Sequence, residues 1–266
     1  MGAPAARTPV ASGALNALEL AAFCAWCFAV AAAGGLVGLV LGNVRLPAVL
    51  LLATSPAAGA GANIGISGVA AFTAASAHVR AGRIDWPLFV WMAPPSMLGA
   101  IGGGYLSGVL PGDVLLVMIG AVLLYFGIDL LRPGRRAGAV VRARSEPDLR
   151  AAVLVGALIG VLGGVVGLIL GSLRMPALLR WVGEAPSRAV GTNVAVGFCV
   201  GLAGVVGHVP GGIEWTLLVV GGAASIPGAL LGARLTGRLS EAALLKAIGA
   251  VLVMAGCATL AQALAA

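Results

Sequence analysis

The stretch GGLVGLVLGNVRLPAVL, Gly34 to Leu50, occurs a second time as GGVVGLILGSLRMPALL, Gly163 to Leu179. Eleven of the seventeen positions are identical at an offset of 129, and the rest exchange like for like apart from Asn43 and Ser172. Each copy is a glycine-broken apolar run that ends in an arginine, one further residue and a proline. An arginine at the centre of a transmembrane helix costs about 2.5–3.5 kcal/mol on insertion scales, so it faces a cavity or a partner. Arg45 and Arg174 stand at matching places in the two copies, and the rest of the chain is read outward from them.

The 266 residues are 60% hydrophobic and 9% charged, with mean hydropathy +1.08. A soluble domain carries about 25% charged residues, so this chain cannot cover its own surface with polar groups. Long apolar runs indicate spanning helices; a β-barrel would show short alternating segments. The 42 glycines suit close helix–helix approach in lipid. The net charge of +7 sits in loops, as membrane topology requires, and is no nucleic-acid signal. Cys24-x-x-Cys27 has no second Cys pair or His cluster beside it, so the chain implies no metal and no cofactor. Glu19 interrupts the first apolar run, which matches an internal segment of the second half; a retained helix is expected there rather than a cleaved signal peptide.

The repeat runs well past the opening stretch. Pro56 pairs with Pro186, Gly61 with Gly191, Asn63 with Asn193 and His78 with His208. Ile84-Asp85-Trp86 pairs with Ile213-Glu214-Trp215, Ser96 with Ser225, Gly99 with Gly228 and Gly103 with Gly232. Arg, Pro, Asn, His, an acid and Trp recurring in order mark a duplication. The expected organisation is a tail over 1–13, a first transmembrane repeat over 14–131, a basic linker over 132–150 and a second repeat over 151–264. Ser55-Pro56 reads as an N-cap followed by an N1 proline. The helix breaks are expected at Asn43–Pro47 and its counterpart, leaving short pieces at Ala48–Thr54 and Pro176–Trp181 that cannot cross a bilayer alone.

Loop charge sets the orientation of the halves. The linker holds Arg132, Arg135, Arg136, Arg142, Arg144 and Arg150 and is expected to be cytoplasmic. On that basis 79–85, with Arg80 and Arg83, lies inside, whereas its counterpart 208–214, with no Lys or Arg, lies outside. Matching loops on opposite faces require an odd number of crossings per half. The fold class is therefore an all-α polytopic membrane protein of two inverted repeats, about five segments each. It has eight to ten transmembrane helices, including short discontinuous ones, with both termini outside. Such repeats build secondary transporters, with the substrate site near the midplane.

The candidate substrate site comprises Arg45, Arg174, Asn63, Asn193, Thr192, Gly61, Gly191 and Ser67. A planar guanidinium fork suits sulfonate, sulfite or carboxylate oxygens. The alternative for each arginine is to snorkel to an interface or to bond the carbonyls ending its own helix. The glycines before each Asn would let the helix unwind and a ligand approach the backbone; the alternative for the Asn pair is interhelical hydrogen bonding. His78 and His208 fit interfacial caps or, failing that, a proton relay. Asp85-Trp86 and Glu214-Trp215 fit interface anchors. Gly65-Ile-Ser67-Gly68 also fits the G-x-S-G of rhomboid-type intramembrane proteases, with His208 as partner, a dyad that needs both groups at one depth.

The order of these motifs resembles the TauE/SafE sulfite exporter family over about residues 15–262. The resemblance rests on the Gly-rich helix followed by Pro, the Pro…Ala-Val-Gly-Thr-Asn run at 186–193, the loop ending Asp85-Trp86, and the Gly-Ala-x-x-Gly-Ala run at 228–233. It implies a non-enzymatic exporter of sulfite, sulfoacetate or related organic anions. Gly61-Ala62-Asn63 departs from the family's Gly-Thr, and the Arg-x-Pro breaks form no part of the resemblance, so the site assigned near them rests on the physical argument alone. The expected protein is a multi-pass inner-membrane anion transporter working by alternating access. A channel-like facilitator is the alternative, and the protease is the remote one. Its partners are a small anion and the lipid bilayer, with homodimer assembly left open and no nucleic acid. With the four native cysteines replaced by serine, single cysteines at Arg80 and Gly211 should react with a membrane-impermeant maleimide from opposite faces. Labelling of both from one face would exclude inverted halves.

Overall fold

A computed structural model describes residues 16–105, 112–132, 148–166, 168–209 and 212–265. The tail and most of the basic linker lie outside the described residues. The described residues form ten α-helices. In the first half these are α1 (Ala17–Val37), α2 (Gly42–Leu52), α3 (Pro56–Arg80), α4 (Trp86–Tyr105) and α5 (Gly112–Leu131). The second half repeats the order as α6 (Leu149–Val166), α7 (Gly171–Ala177), α8 (Pro186–His208), α9 (Trp215–Thr236) and α10 (Glu241–Ala265). Five helices, α1, α3, α8, α9 and α10, are long and apolar enough to cross a membrane; α2, α5 and α6 are shorter apolar helices. The chain is a multi-pass membrane protein.

Local sequence explains the starts. Asn16 caps α1 in a capping box: its side chain accepts from Glu19 N–H at 2.8 Å, and the Glu19 carboxylate accepts from Asn16 N–H at 3.1 Å. Ser55 caps α3 through Ala58 N–H at 3.2 Å, with Pro56 as its first residue, as expected. The breaks, however, fall earlier than their prolines suggest. Gly38, at φ 70°, ends α1, and Leu39–Leu41 cross to α2 without helical structure. Leu168–Leu170 do the same before α7. Pro47 and Pro176 lie inside the short helices. A proline there strips a bond from the carbonyl four residues back. For Pro47 that carbonyl belongs to Asn43, and it accepts from Gln262 Nε2 of α10 at 2.6 Å instead. The Asn43 side chain also donates to Thr259 Oγ1 of α10 at 2.8 Å, so α2 is tethered to the last helix where its ladder is weakest. In the second half α7 runs on into a π-helical turn, Leu178–Val182, closed by Gly183 at φ 78°. Arg180 of that turn pairs with Asp129 of α5 and lies 4.8 Å from the Phe126 ring centre.

The closest packing joins one half to the other. α1 lies along α9, α6 along α4, α5 along α10 and α3 along α8. The first two contacts repeat each other residue for residue. A Cβ on Gly232 would sit 2.1 Å from Ala32 O, and one on Gly103 would sit 2.1 Å from Val161 O. Both pairs obey the 129-residue offset. No hydrophobic drive separates helix from lipid, so such backbone contact at small residues holds the bundle. Gly232→Ala should therefore destabilise the protein by about 1–3 kcal/mol through overpacking. Gly102→Ala, with nothing within 4 Å of its Cβ, should be neutral or stabilising by about 0.5–1 kcal/mol. Thermal unfolding midpoints in one detergent test the contrast.

Candidate functional site

The two breaks meet at the centre of the bundle. Leu39–Leu41 and Leu168–Leu170 are all buried and belong to one apolar cluster. A Cβ on Gly38 would lie 2.5 Å from Val190 Cα, and one on Gly171 would lie 3.3 Å from Val40 N. Broken helices expose carbonyls, and in a membrane core an unpaired carbonyl costs several kcal/mol. Gly38 O, past the end of α1, is such a carbonyl, whereas Gly42 O and Gly171 O open the short helices and lie in their first turns; two asparagines from the helices that follow donate to all three. Asn63 Nδ2 of α3 donates to Gly42 O at 3.0 Å. Asn193 Nδ2 of α8 donates to Gly171 O at 2.9 Å and also to Gly38 O at 2.7 Å, joining the two halves.

The same asparagines hold the arginines. Arg45 Nε donates to Asn63 Oδ1 at 3.0 Å, and its Nη2 donates to Asn63 O at 2.9 Å and to Ser67 Oγ. Arg174 Nη1 donates to Asn193 Oδ1 at 3.2 Å. The guanidinium-bearing residues are 2% and 1% exposed. They neither snorkel to an interface nor bond the end of their own helix. Among the described residues no carboxylate pairs with either; their titratable neighbours are the thiols Cys27 and Cys199. Two cations are thus held in a low-dielectric centre by neutral partners.

The two copies are not equal. Where Ser67 serves Arg45, the repeat has Gly197, whose added Cβ would meet Val40 Cγ2 at 2.7 Å. Arg174 is left with a buried Nε that has no hydrogen-bond partner. A cavity of about 20 Å³ lies beside Arg45 and Ser67, bounded by Gly35, Leu39, Val40 and Ala71. That is space for a water molecule, not for a sulfonate.

The other expected site residues lie elsewhere. α3 and α8 run unbroken through Gly61 and Gly191. These glycines admit the loop of the opposite half instead: a Cβ on Gly61 would lie 2.9 Å from Gly212 O, and one on Gly191 would lie 2.1 Å from Arg83 O. The Thr192 hydroxyl accepts from Asp85 N–H at 3.0 Å and points away from the arginines. His78 is fully buried, its ring between Gly35 O at 3.3 Å and Arg83 Nη1 at 3.4 Å, so it is not an interfacial cap. His208 is partly buried and bonds Gly204 O at 2.9 Å. Ser67 Oγ donates to Asn63 O at 2.8 Å and receives Arg45, with no histidine at hand. Trp86 and Trp215 are exposed as anchors should be, but Asp85 beside the first is buried and paired with Arg188. The sequence reading missed Glu184 and Arg188, whose i,i+4 spacing at the start of α8 was the available signal. Among the described residues no three His, Cys, Asp or Glu side chains converge on a metal site.

Compared with known protein families, residues 23–259 match the model described as sulfite exporter TauE/SafE. No curated protein and no solved structure matches the chain. Asn193→Ala removes the donor to both breaks and the acceptor for Arg174. Stranding Gly38 O and Arg174 Nη1 should lower stability by about 1–3 kcal/mol, measured as thermal unfolding in detergent; an unchanged midpoint would mean the breaks do not depend on it.

Proposed function

We propose, from the premise that the chain belongs to the sulfite exporter TauE/SafE family of membrane transporters, that it is a secondary transporter for a small anion. Sulfite, sulfoacetate and related sulfonates or carboxylates are the class. The observation that carries this reading is the pair of buried, carboxylate-free guanidiniums at the crossing of the two breaks. A cation in a low-dielectric site is strongly favoured by a visiting anion, and Arg174 keeps an unbonded Nε for it. Asn63, Asn193 and Ser67 hold the forks in place. In this reading Gly61, Gly191 and Thr192 serve closure at the two ends instead of touching the anion.

In this reading the halves are inverted, the linker is cytoplasmic and both termini are outside, which loop charge supports, and the location is the inner membrane. On the same reading, transport is by alternating access about the interface of the halves, and the cavity beside Arg45, too small for a sulfonate, favours that over a channel-like facilitator.

Flux of labelled sulfite or sulfoacetate into proteoliposomes should saturate and show counterflow. Arg174→Gln should reduce it at least about tenfold, the loss of one charge-assisted bond of roughly 1.5–3 kcal/mol. Arg45→Gln should reduce it as well, with a larger loss of thermal stability, because it strands Asn63 and Ser67. Wild-type flux in both variants would remove the arginines from the site.

A further inference from the structure

At the end of the bundle where the 81–85 loop meets the start of α8, two carboxylates share one guanidinium. Arg188 Nη2 binds Asp85 Oδ2, and Arg188 Nε lies 3.4 Å from Glu184 Oε1. Asp85 comes from the first half and the other two from the second. Asp85 Oδ1 is occupied by Leu88 N–H at 2.9 Å, and Glu184 Oε1 by Ala185 N–H at 2.9 Å. Glu184 Oε2 is buried with no hydrogen-bond partner, while the Glu184 and Asp85 carboxyls are within hydrogen-bonding reach of each other. The two acids are 5% and 3% exposed, whereas the Arg188 side chain is half exposed and leads outward.

Two buried carboxylates on one cation leave an excess negative charge and an orphaned carboxylate oxygen. One proton on Glu184 Oε2 removes both faults, since the hydroxyl then donates to Asp85. We infer that Asp85, Glu184 and Arg188 form a binding site for a single exchangeable proton that latches the two halves together at this face. The chemistry is carboxylate plus proton to carboxylic acid, with no other bond made or broken. The repeat supplies a comparison within the molecule. At the equivalent place Thr54 replaces Glu184, Ala58 replaces Arg188, and Glu214 accepts from Thr54 Oγ1 at 2.7 Å. That end is closed by a hydroxyl and holds no second acid, so only one of the two ends binds the proton.

Burial, and then the neighbouring Asp85, push the Glu184 carboxyl above its ordinary 4.5, against the opposing pull of Arg188. A raised carboxyl means that the folded protein holds its proton more tightly than the unfolded chain. Stability is then greatest below pH 4.5 and is lost as pH rises through the folded value. Of the other charged groups near this end, Arg83 donates to Ala233 O of α9 at 2.9 Å and meets His78 of α3, Asp148 accepts from Ala151 N–H at 3.0 Å, and Arg180 pairs with Asp129.

The test is the unfolding equilibrium of the purified full chain in detergent, followed from about pH 4.5 to about pH 8, and needs no transport assay. The ratio of the wild-type to the Glu184→Gln unfolding constant should rise with pH, by up to about tenfold per unit over part of that range, the signature of one proton. Taking the ratio cancels the other groups that titrate in both proteins. Equal pH profiles for wild type and Glu184→Gln would overturn the site. If Glu184→Gln does not fold, Asp85→Asn serves, since removing the second acid should shift the rise toward the ordinary carboxylate range; an unmoved rise would overturn it. Infrared difference spectra across the same range should show a carboxyl C=O band lost on raising pH and absent from Glu184→Gln, and a band that persists in the variant would count against the site. Loss of anion flux with this titration intact would sink the transport reading alone.

Discussion

Everything at the centre of this molecule follows from the cost of an unpaired backbone carbonyl away from water. Two helices are interrupted in mid-bundle, and each interruption leaves carbonyls that lipid cannot satisfy. Asn193 answers this for Gly38 O, and Asn63 and Asn193 each add a second donor to the carbonyl that opens a short helix, Gly42 O and Gly171 O. The other end of each amide, its Oδ1, is an acceptor with nothing left to do but hold a donor, and in each half that donor is the arginine of the short helix. The repair of the backbone and the positioning of the charge are one device. This is what holds the arginines in the interior.

The duplication then allows the two copies to diverge in use. Arg45 has Asn63 and Ser67 around it; Arg174 has Asn193 and a glycine. The better-served copy is closer to a structural element and the less-served one has bonding capacity to spare. The ends diverge in the same manner, a threonine hydroxyl on Glu214 at one and a Glu–Arg–Asp cluster at the other.

Much of this was legible in the chain. Composition forced the membrane class, and the repeat of Arg, Pro, Asn, His and Trp in order gave the two halves and their element order. The pairing of Asn63 with Arg45 and of Asn193 with Arg174 was foreshadowed by their joint recurrence. The position of the break was not, because proline is the louder signal than glycine. Pro47 is accommodated by a side chain from α10, some two hundred residues away, and no local rule reports that Gln262 takes the carbonyl. His78 and Asp85 looked interfacial for a related reason. They end or follow a helix, where hydropathy places water, but the opposite half folds over them and buries both.

Sequence alone determined the membrane class, the duplication, the chemistry available at the breaks and the residues that would have to provide it. These depend on composition and on spacing within one repeat, both of which are local. Tertiary structure decided which of those residues meet. It separated Thr192 and Gly191 from Asn193, although they are neighbours in the chain, because successive residues on a helix point in different directions and face different partners. It also brought Asp85 to Glu184 across a hundred residues. Contacts between halves depend on how the helices lie against one another, which no spacing within either half encodes.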